Sequence, residues 1–306
     1  MNRSLSCLVP TLVLAGLAAA CGGEAPPPAA PTSAATVAAG ASIDAELQAS
    51  VAGGQRTDKE KARDSHRHPR ETLAFFGLKD DMTVVELSPG GGWFTAILAP
   101  VLRDHGKLVV VGGDPNGDPK SEGTQNAQAL QARFQKAPSA FDKVQSLVWK
   151  RDGEPVFGPP ESADMVLTFR NLHNWVEGKN ADQALAAAFK VLKHGGVLGV
   201  TDHRANKGAS SDPKVIGDTG YIPEEQAIKI VEAAGFKLAA KSEINANPKD
   251  TKDYAEGVWT LPPTFTLKDK DHDKYAAIGE SDRMTLKFVK VAPKVAAKAA
   301  PVAATK

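Results

Sequence analysis

The run VVELSPGGGWFT, residues 84–95, constrains this chain more than any other stretch. β-Branched apolar residues lead to Glu86, Ser88 and Pro89 precede Gly90, Gly91 and Gly92, and an apolar segment follows. A strand, a glycine turn and a helix start in that order let backbone approach a small ligand. The free amides and the positive helix end then face any anionic group there. A dinucleotide fingerprint needs G-x-G-x-x-G, and counting from Gly90 through Gly92 puts Thr95 where the third glycine belongs. That pattern is not met. The spacing acid-x-G-x-G-x-G is met by Glu86, Ser88, Gly90 and Gly92, with serine in the first glycine position. A glycine turn that serves chain geometry alone is the competing reading.

Around this turn, strand and helix patterns alternate. Strands are expected at 83–87, 107–112, 144–149, in DMVLTF, in GGVLGVTDH, in FKLAAKSEI and in RMTLKFVK. Helical periodicity falls on 93–102, on AQALQARF, on ADQALAAAFKVLK and on PEEQAIKIVEAAG. Ahead of the first strand, Thr57 and Asp58 are caps for a helix over 59–64. It is interrupted near Pro69 and resumes through RETLAFFG to a Gly77 stop. Regular alternation with short links implies an α/β, doubly wound, mostly parallel seven-stranded sheet covered on both faces. The last two strands are joined by a Pro- and Asp-rich stretch without helical pattern, so the seventh can enter reversed.

The ends of the chain carry an address rather than a fold. Arg3 precedes an apolar segment over 5–20 that is short for a bilayer span and stops at small residues. In LAGLAAAC, Cys21 follows three alanines, and the run resembles a bacterial lipoprotein signal in which that cysteine becomes lipidated. An ordinary secretory signal cut nearby is the alternative. The expected organisation is a signal over 1–20, a flexible tether over 21–54, one domain over 55–290 and a tail over 291–306. The expected location is the bacterial cell envelope, with membrane contact through the lipid anchor only. Cys7 lies inside the signal, so a mature chain holds at most one cysteine and no internal disulfide. A formal net charge of +1 without a basic stripe gives no reason to expect nucleic acid. No protein partner is evident.

The glycine run resembles motif I of the class I S-adenosylmethionine-dependent methyltransferases, and the resemblance covers most of residues 63–290. It is similar to a group of little-characterised bacterial methyltransferases, often exported. In these an RHP-like helix precedes motif I and an aromatic N-x-H-x-W segment follows strand four, here RHPRETLAFFGLKDDMTVVE and FRNLHNW. The resemblance implies a Rossmann-like sheet with a reversed last strand and S-adenosylmethionine as cofactor. It implies that Glu86 and the turn through Ser88, Gly90, Gly91 and Gly92 hold the methionine part. Asp114, ending VVVGGDP, then stands where an acidic residue accepts from the ribose hydroxyls, and Asp152 near where one meets the adenine amine.

Two polar clusters end strands four and five, at the edge where open α/β folds bind ligands. In FRNLHNW, His173 is the candidate general base, Asn171 and Asn174 orient a substrate, and Trp175 walls the pocket. The competing reading has Trp175 capping the core and His173 bonding a backbone carbonyl. In TDHRAN, Asp202 and His203 supply a base or contact substrate and Arg204 binds a carboxylate or phosphate. His173, Asp202 and His203 come from separate loops, and a metal site is the less favoured reading of them. Arg67 and Arg70 are candidate anion contacts, and Tyr254, Trp259 and Phe265 candidate lids. The acceptor expected is a small molecule. S-adenosylmethionine is made in the cytoplasm, which an exported protein leaves behind. A methyltransferase, a ligand-binding module and a tethered interaction protein on that scaffold are the three readings, in that order.

Overall fold

The computed structural model describes residues 34–149 and 153–291, with side chains from Ile43 onward. The expected signal with Cys21, the tail beyond 291, and Asp152 lie outside the described residues.

In chain order the first elements are α1 (Ala34–Ala52), α2 (Asp58–Lys61), α3 (Asp64–Arg67), α4 (Pro69–Phe76), β1 (Thr83–Leu87) and α5 (Thr95–Leu102). Then come β2 (Lys107–Gly112), α6 (Glu122–Lys136), α7 (Pro138–Phe141), β3 (Gln145–Val148), β4 (Ala163–Phe169), α8 (Leu172–Glu177) and α9 (Ala181–Val191). The chain continues through β5 (Leu192–His203), α10 (Pro213–Thr219), α11 (Glu224–Ala233) and β6 (Phe236–Ser242). A 3₁₀ turn (Gly257–Thr260), α12 (His272–Ile278) and β7 (Arg283–Lys290) complete it.

The strands form one seven-stranded sheet in the order β3-β2-β1-β4-β5-β7-β6. β3, β2, β1, β4 and β5 run parallel, and β7 lies antiparallel between β5 and β6. The sheet is doubly wound, as the alternation of patterns predicts. Val84, Leu108, Val110, Met165 and Leu167 bury against Phe76 of α4, Ile97 and Leu98 of α5 and Leu130 of α6. Val85, Leu87, Val109, Val111 and Val166 pack on the opposite face with Trp175 of α8, Leu185 of α9 and Val231 of α11. Burying both faces of the central strands is what makes their sequences near-continuous apolar runs. Chain direction reverses its order between β1 and β4, which opens a crevice at their carboxyl ends.

Three expectations need correction. The flexible tether does not extend to residue 54: α1 is helical, Leu47 is buried, and Ser50 Oγ donates to the Ile97 carbonyl at 2.7 Å. Ile43, Leu47, Ser50 and Val51 share one helical face against α5, a stripe diluted by the surrounding alanines. Helix α9 ends at Val191, not in the His194–Gly195 region, because Leu192 is already extended (ψ 138°) and begins β5. The stretch between β6 and β7 holds α12 and the 3₁₀ turn, both too short to leave a clear period.

Before β1 the caps behave as expected. Thr57 and Glu60 form a reciprocal capping box on α2. Pro69 opens α4 after His68 turns left-handed at φ 39°.

Candidate functional site

A cavity of about 1130 Å³ runs along the carboxyl ends of β1, β2, β4 and β5. Its size falls in the range that takes a nucleoside-sized ligand with a second small molecule.

One half is built by the glycine turn. Glu86 alternates with Val85 and Leu87 and so faces α5, where its Oε2 accepts from Thr95 Oγ1 at 2.6 Å. Burial pushes this carboxyl up to about 7, against the opposing pull of the Thr95 hydroxyl and of Arg133. Ser88 takes the left-handed backbone usually left to glycine, at φ 49°, and its amide donates to the Val111 carbonyl at 2.8 Å. The glycines divide the work. At Gly92 a Cβ would meet Leu130 Cδ1 at 2.5 Å on a backbone of φ 82°, so glycine is needed for packing. At Gly91 a Cβ would meet nothing within 4 Å, and the residue fronts the cavity, as Gly90 does. At the end of β2, Gly112, Gly113 and Pro115 line the wall. Asp114 between them turns Oδ1 to the Asn116 amide at 2.9 Å, so the wall is formed by its neighbours.

The other half centres on α8 and the end of β5. His173, on the first turn of α8, places Nδ1 2.7 Å from Asp202 Oδ1. Asp202 is fully buried; its Oδ2 accepts the His173 amide and its Oδ1 the His203 amide. An acceptor-only carboxylate on Nδ1 assigns the proton to that nitrogen and leaves Nε2 with the free lone pair. The His203 ring lies edge-on to His173 at 5.2 Å, with Nδ1 2.5 Å from Ser281 Oγ. Burial first, then His173 and the guanidiniums of Arg170, Arg283 and Arg67, hold His203 well below the usual histidine range.

The structure does bring His173, Asp202 and His203 together, their ligating atoms within 4.8 Å of one another. The surroundings suit a hydrogen-bonded pair better than a divalent cation. Asp202 is already engaged with two backbone amides and the His173 imidazole, and three guanidiniums act on the His203 ring.

Of the expected substrate contacts, Asn171, Asn174, Trp175 and His203 line the cavity. Asn171 also ties the two strand ends together, donating to the carbonyls of Leu87 and Ser88 and to Thr168 Oγ1. Asp202 and Arg204 do not line it. Asp202 acts from behind His173. Arg204 is spent on Glu243, Asp282 and Glu224, which hold it firmly charged and fasten β5 to the β6–β7 segment. Among the lid aromatics only Trp259 reaches the cavity; Tyr254 stacks edge-on with Tyr275, and Phe265 lies on His272.

Five arginines complete the wall. Arg133 bonds the Gly91 carbonyl at the glycine turn, Arg63, Arg67, Arg170 and Arg283 line the rest, and only Arg67 was singled out from sequence. Arg63 Nε, Arg67 Nε and Arg283 Nη2 converge on Glu280 at 2.6, 3.0 and 2.9 Å. Burial would raise Glu280, but these three cations prevail and hold it well below the carboxylate range. The Arg67 guanidinium also lies 4.7 Å from the Trp93 ring centre, and Phe94 stacks on Phe169 at 3.6 Å. Arg70, the other expected anion contact, pairs instead with Asp44 at 3.1 Å, away from the cavity. Arg170 sat inside FRNLHNW, and its signal was a cation one residue past a buried strand.

No family model matches the sequence, and no curated protein matches it. Solved structures do share the fold. The [4+2]-cyclase SpnF has a TM-score of 0.51 at 17% identity over 82% of this chain and 93% of its own. A geranyl diphosphate methyltransferase in complex with S-adenosylmethionine has a TM-score of 0.50 at 12% identity, over 80% and 95%. A SAM-dependent methyltransferase from Aquifex aeolicus aligns at 0.49 and 17%, over 75% and 93%. The chain has the Rossmann-like fold that these solved structures share. A cyclase and a methyltransferase share it, so the chemistry is read from the site.

Proposed function

We infer that the chain transfers a methyl group from S-adenosylmethionine to a small-molecule acceptor. The observation that carries this is one continuous cavity with the Gly90–Gly91 turn at one end and His173 at the other.

The residues present fit such a cofactor. Open space in front of Gly91 suits close approach of a ligand, and the buried Glu86 carboxyl suits a cationic group. Glu86, Ser88, Gly90 and Gly91 would hold the methionine part, with Gly92 packing the turn beneath them, and Asp114 would reach the ribose by turning its carboxylate from the Asn116 amide into the cavity. When bound, the cofactor supplies an electrophilic methyl group on a sulfonium. Asn174 and Trp175 orient the acceptor and exclude water, which keeps the nucleophile in line. His173 Nε2 takes the acceptor's proton, and Asp202 fixes the ring's tautomer and steadies the imidazolium that forms. Asp202 is a positioning residue, since it touches only His173 and backbone.

Paired variants test the division of the cavity. His173→Ala should lower turnover by about 10²–10⁴ while leaving S-adenosylhomocysteine affinity near wild type. Asp114→Ala should weaken S-adenosylhomocysteine through loss of charge-assisted bonds. Loss of cofactor affinity in His173→Ala with turnover kept at saturation would invert the assignment. Ligand binding altered by both variants, with no acceptor methylated, would make the protein a binding module.

A further inference from the structure

We propose that Arg170, with Arg67 and Arg283, forms a subsite for a carboxylate or phosphate carried by the acceptor, so that the substrate is an anionic small molecule. This rests on the methyl-transfer reading for the word acceptor; the anion subsite itself rests on the arginines alone.

Arg170 is the key to it. Among the described residues its guanidinium has no hydrogen bond and no ion pair, and its Nε is buried without a partner. Burial, together with the like charge of Arg283, lowers its pKa to about 10, so it is still charged near neutrality. Its backbone is left-handed at φ 63°, a conformation that is strained for a bulky residue. An unpaired, strained, partly desolvated cation is a poor structural device and a good ligand contact.

The neighbours reinforce it. Arg67 is 5% exposed, and its Nη2 has no partner, nor has Nη2 of Arg63. The site thus offers donors left over after Glu280 has been shared among three guanidiniums. Arg63, Arg67, Arg170 and Arg283 stand around two buried carboxylates, Glu280 and Asp202. Planar guanidiniums with free N–H groups match the geometry of carboxylate and phosphate oxygens. The subsite adjoins His173 and His203, since Arg170, Arg283 and Arg67 all act on the His203 ring. An anion held there sets the rest of the acceptor against the candidate base. Its charge also offsets the arginines that disfavour a protonated His203 ring.

The experiment uses the full chain with inorganic phosphate, S-adenosylhomocysteine and methylthioadenosine, which lacks the amino-acid carboxylate. At fixed ionic strength, phosphate should raise the melting temperature of the wild type. In Arg170→Gln its affinity should fall on the order of 10- to 100-fold, the loss of a charge-assisted contact. Because the Arg170 side chain bonds to nothing among the described residues, the variant should melt no lower than wild type without phosphate. Arg70→Gln, on the surface pair with Asp44, should leave phosphate binding unchanged. No phosphate effect on the wild type, or equal binding by Arg170→Gln, would overturn the proposal. S-adenosylhomocysteine weakened by Arg170→Gln with methylthioadenosine unchanged would assign the arginines to the cofactor's carboxylate and overturn it as well. Failure of the wild type to bind S-adenosylhomocysteine counts against methyl transfer, and the phosphate result still decides the subsite.

Discussion

Glu86 is destabilising where it stands. Its carboxyl is buried to 1% exposure with the hydroxyl and backbone of Thr95 on it, and its pKa rises from 4.5 to about 7. The folded state therefore holds a proton that the unfolded chain releases. The stability this gives is fully present below 4.5, falls as pH rises, and is gone above about 7. The full change corresponds to about 3 kcal/mol. Glu86→Gln keeps an oxygen for Thr95 and removes the titration. Its stability relative to wild type should therefore rise between pH 4.5 and 8, read by urea midpoints. Parallel curves for the two proteins would show that Glu86 is not held in this state. At this scale the sequence was uneven. Glu86, the glycines and His173 were legible because chemistry and spacing coincide in short motifs. Arg283 was not, since it opens an ordinary strand, and only the tertiary fold brings Arg63 and Arg67 to the Glu280 three residues before it.

Among the elements, α1 matters most for what the domain includes. It caps the outer face of α5, the helix that follows the glycine turn, through Leu47 and Ser50 Oγ, and Gln55 just beyond it adds Nε2 on the Ala96 carbonyl. Arg56, just after it, bonds the Val51 carbonyl and Asp64 and lies over the Trp93 ring. The segment before residue 55 thus supports the turn from behind. Leu47→Ala should cost about 2–5 kcal/mol in chemical denaturation, the range for a buried leucine, whereas exposed Gln48→Ala should stay within about 0.5 kcal/mol. Equal effects would mean that α1 is not part of the folded unit. The alanine-rich composition around α1 hid its stripe from a reading by composition. The central strands β1, β2 and β4 were legible to within a residue, because being buried on both faces leaves little choice but apolar, largely β-branched runs, whereas β5 begins three residues earlier than expected.

For the whole molecule, the sheet order explains why residues from four strand ends share one cavity. The reversal between β1 and β4 leaves their carboxyl ends uncovered by helices. The glycine turn lies on one side of that reversal, and α8 with the end of β5 on the other. The alternation of patterns carried the doubly wound architecture and the reversed last strand, both visible in sequence. The contents of the cavity were visible only in part, because Asp202 and Arg204 end the same strand yet face opposite demands. One is behind a histidine, and the other is in a salt-bridge network.

The central claim is that the glycine turn fronts a cofactor pocket. Calorimetry on the full chain tests it with S-adenosylhomocysteine, NADH and the Gly91→Val variant. Gly91 has no positive φ and open space before its Cβ, so valine should fold normally and fill ligand volume. The account predicts that wild type binds S-adenosylhomocysteine and not NADH, and that folded Gly91→Val binds neither. Unchanged S-adenosylhomocysteine affinity in a folded Gly91→Val protein, or tight NADH binding by the wild type, would contradict it.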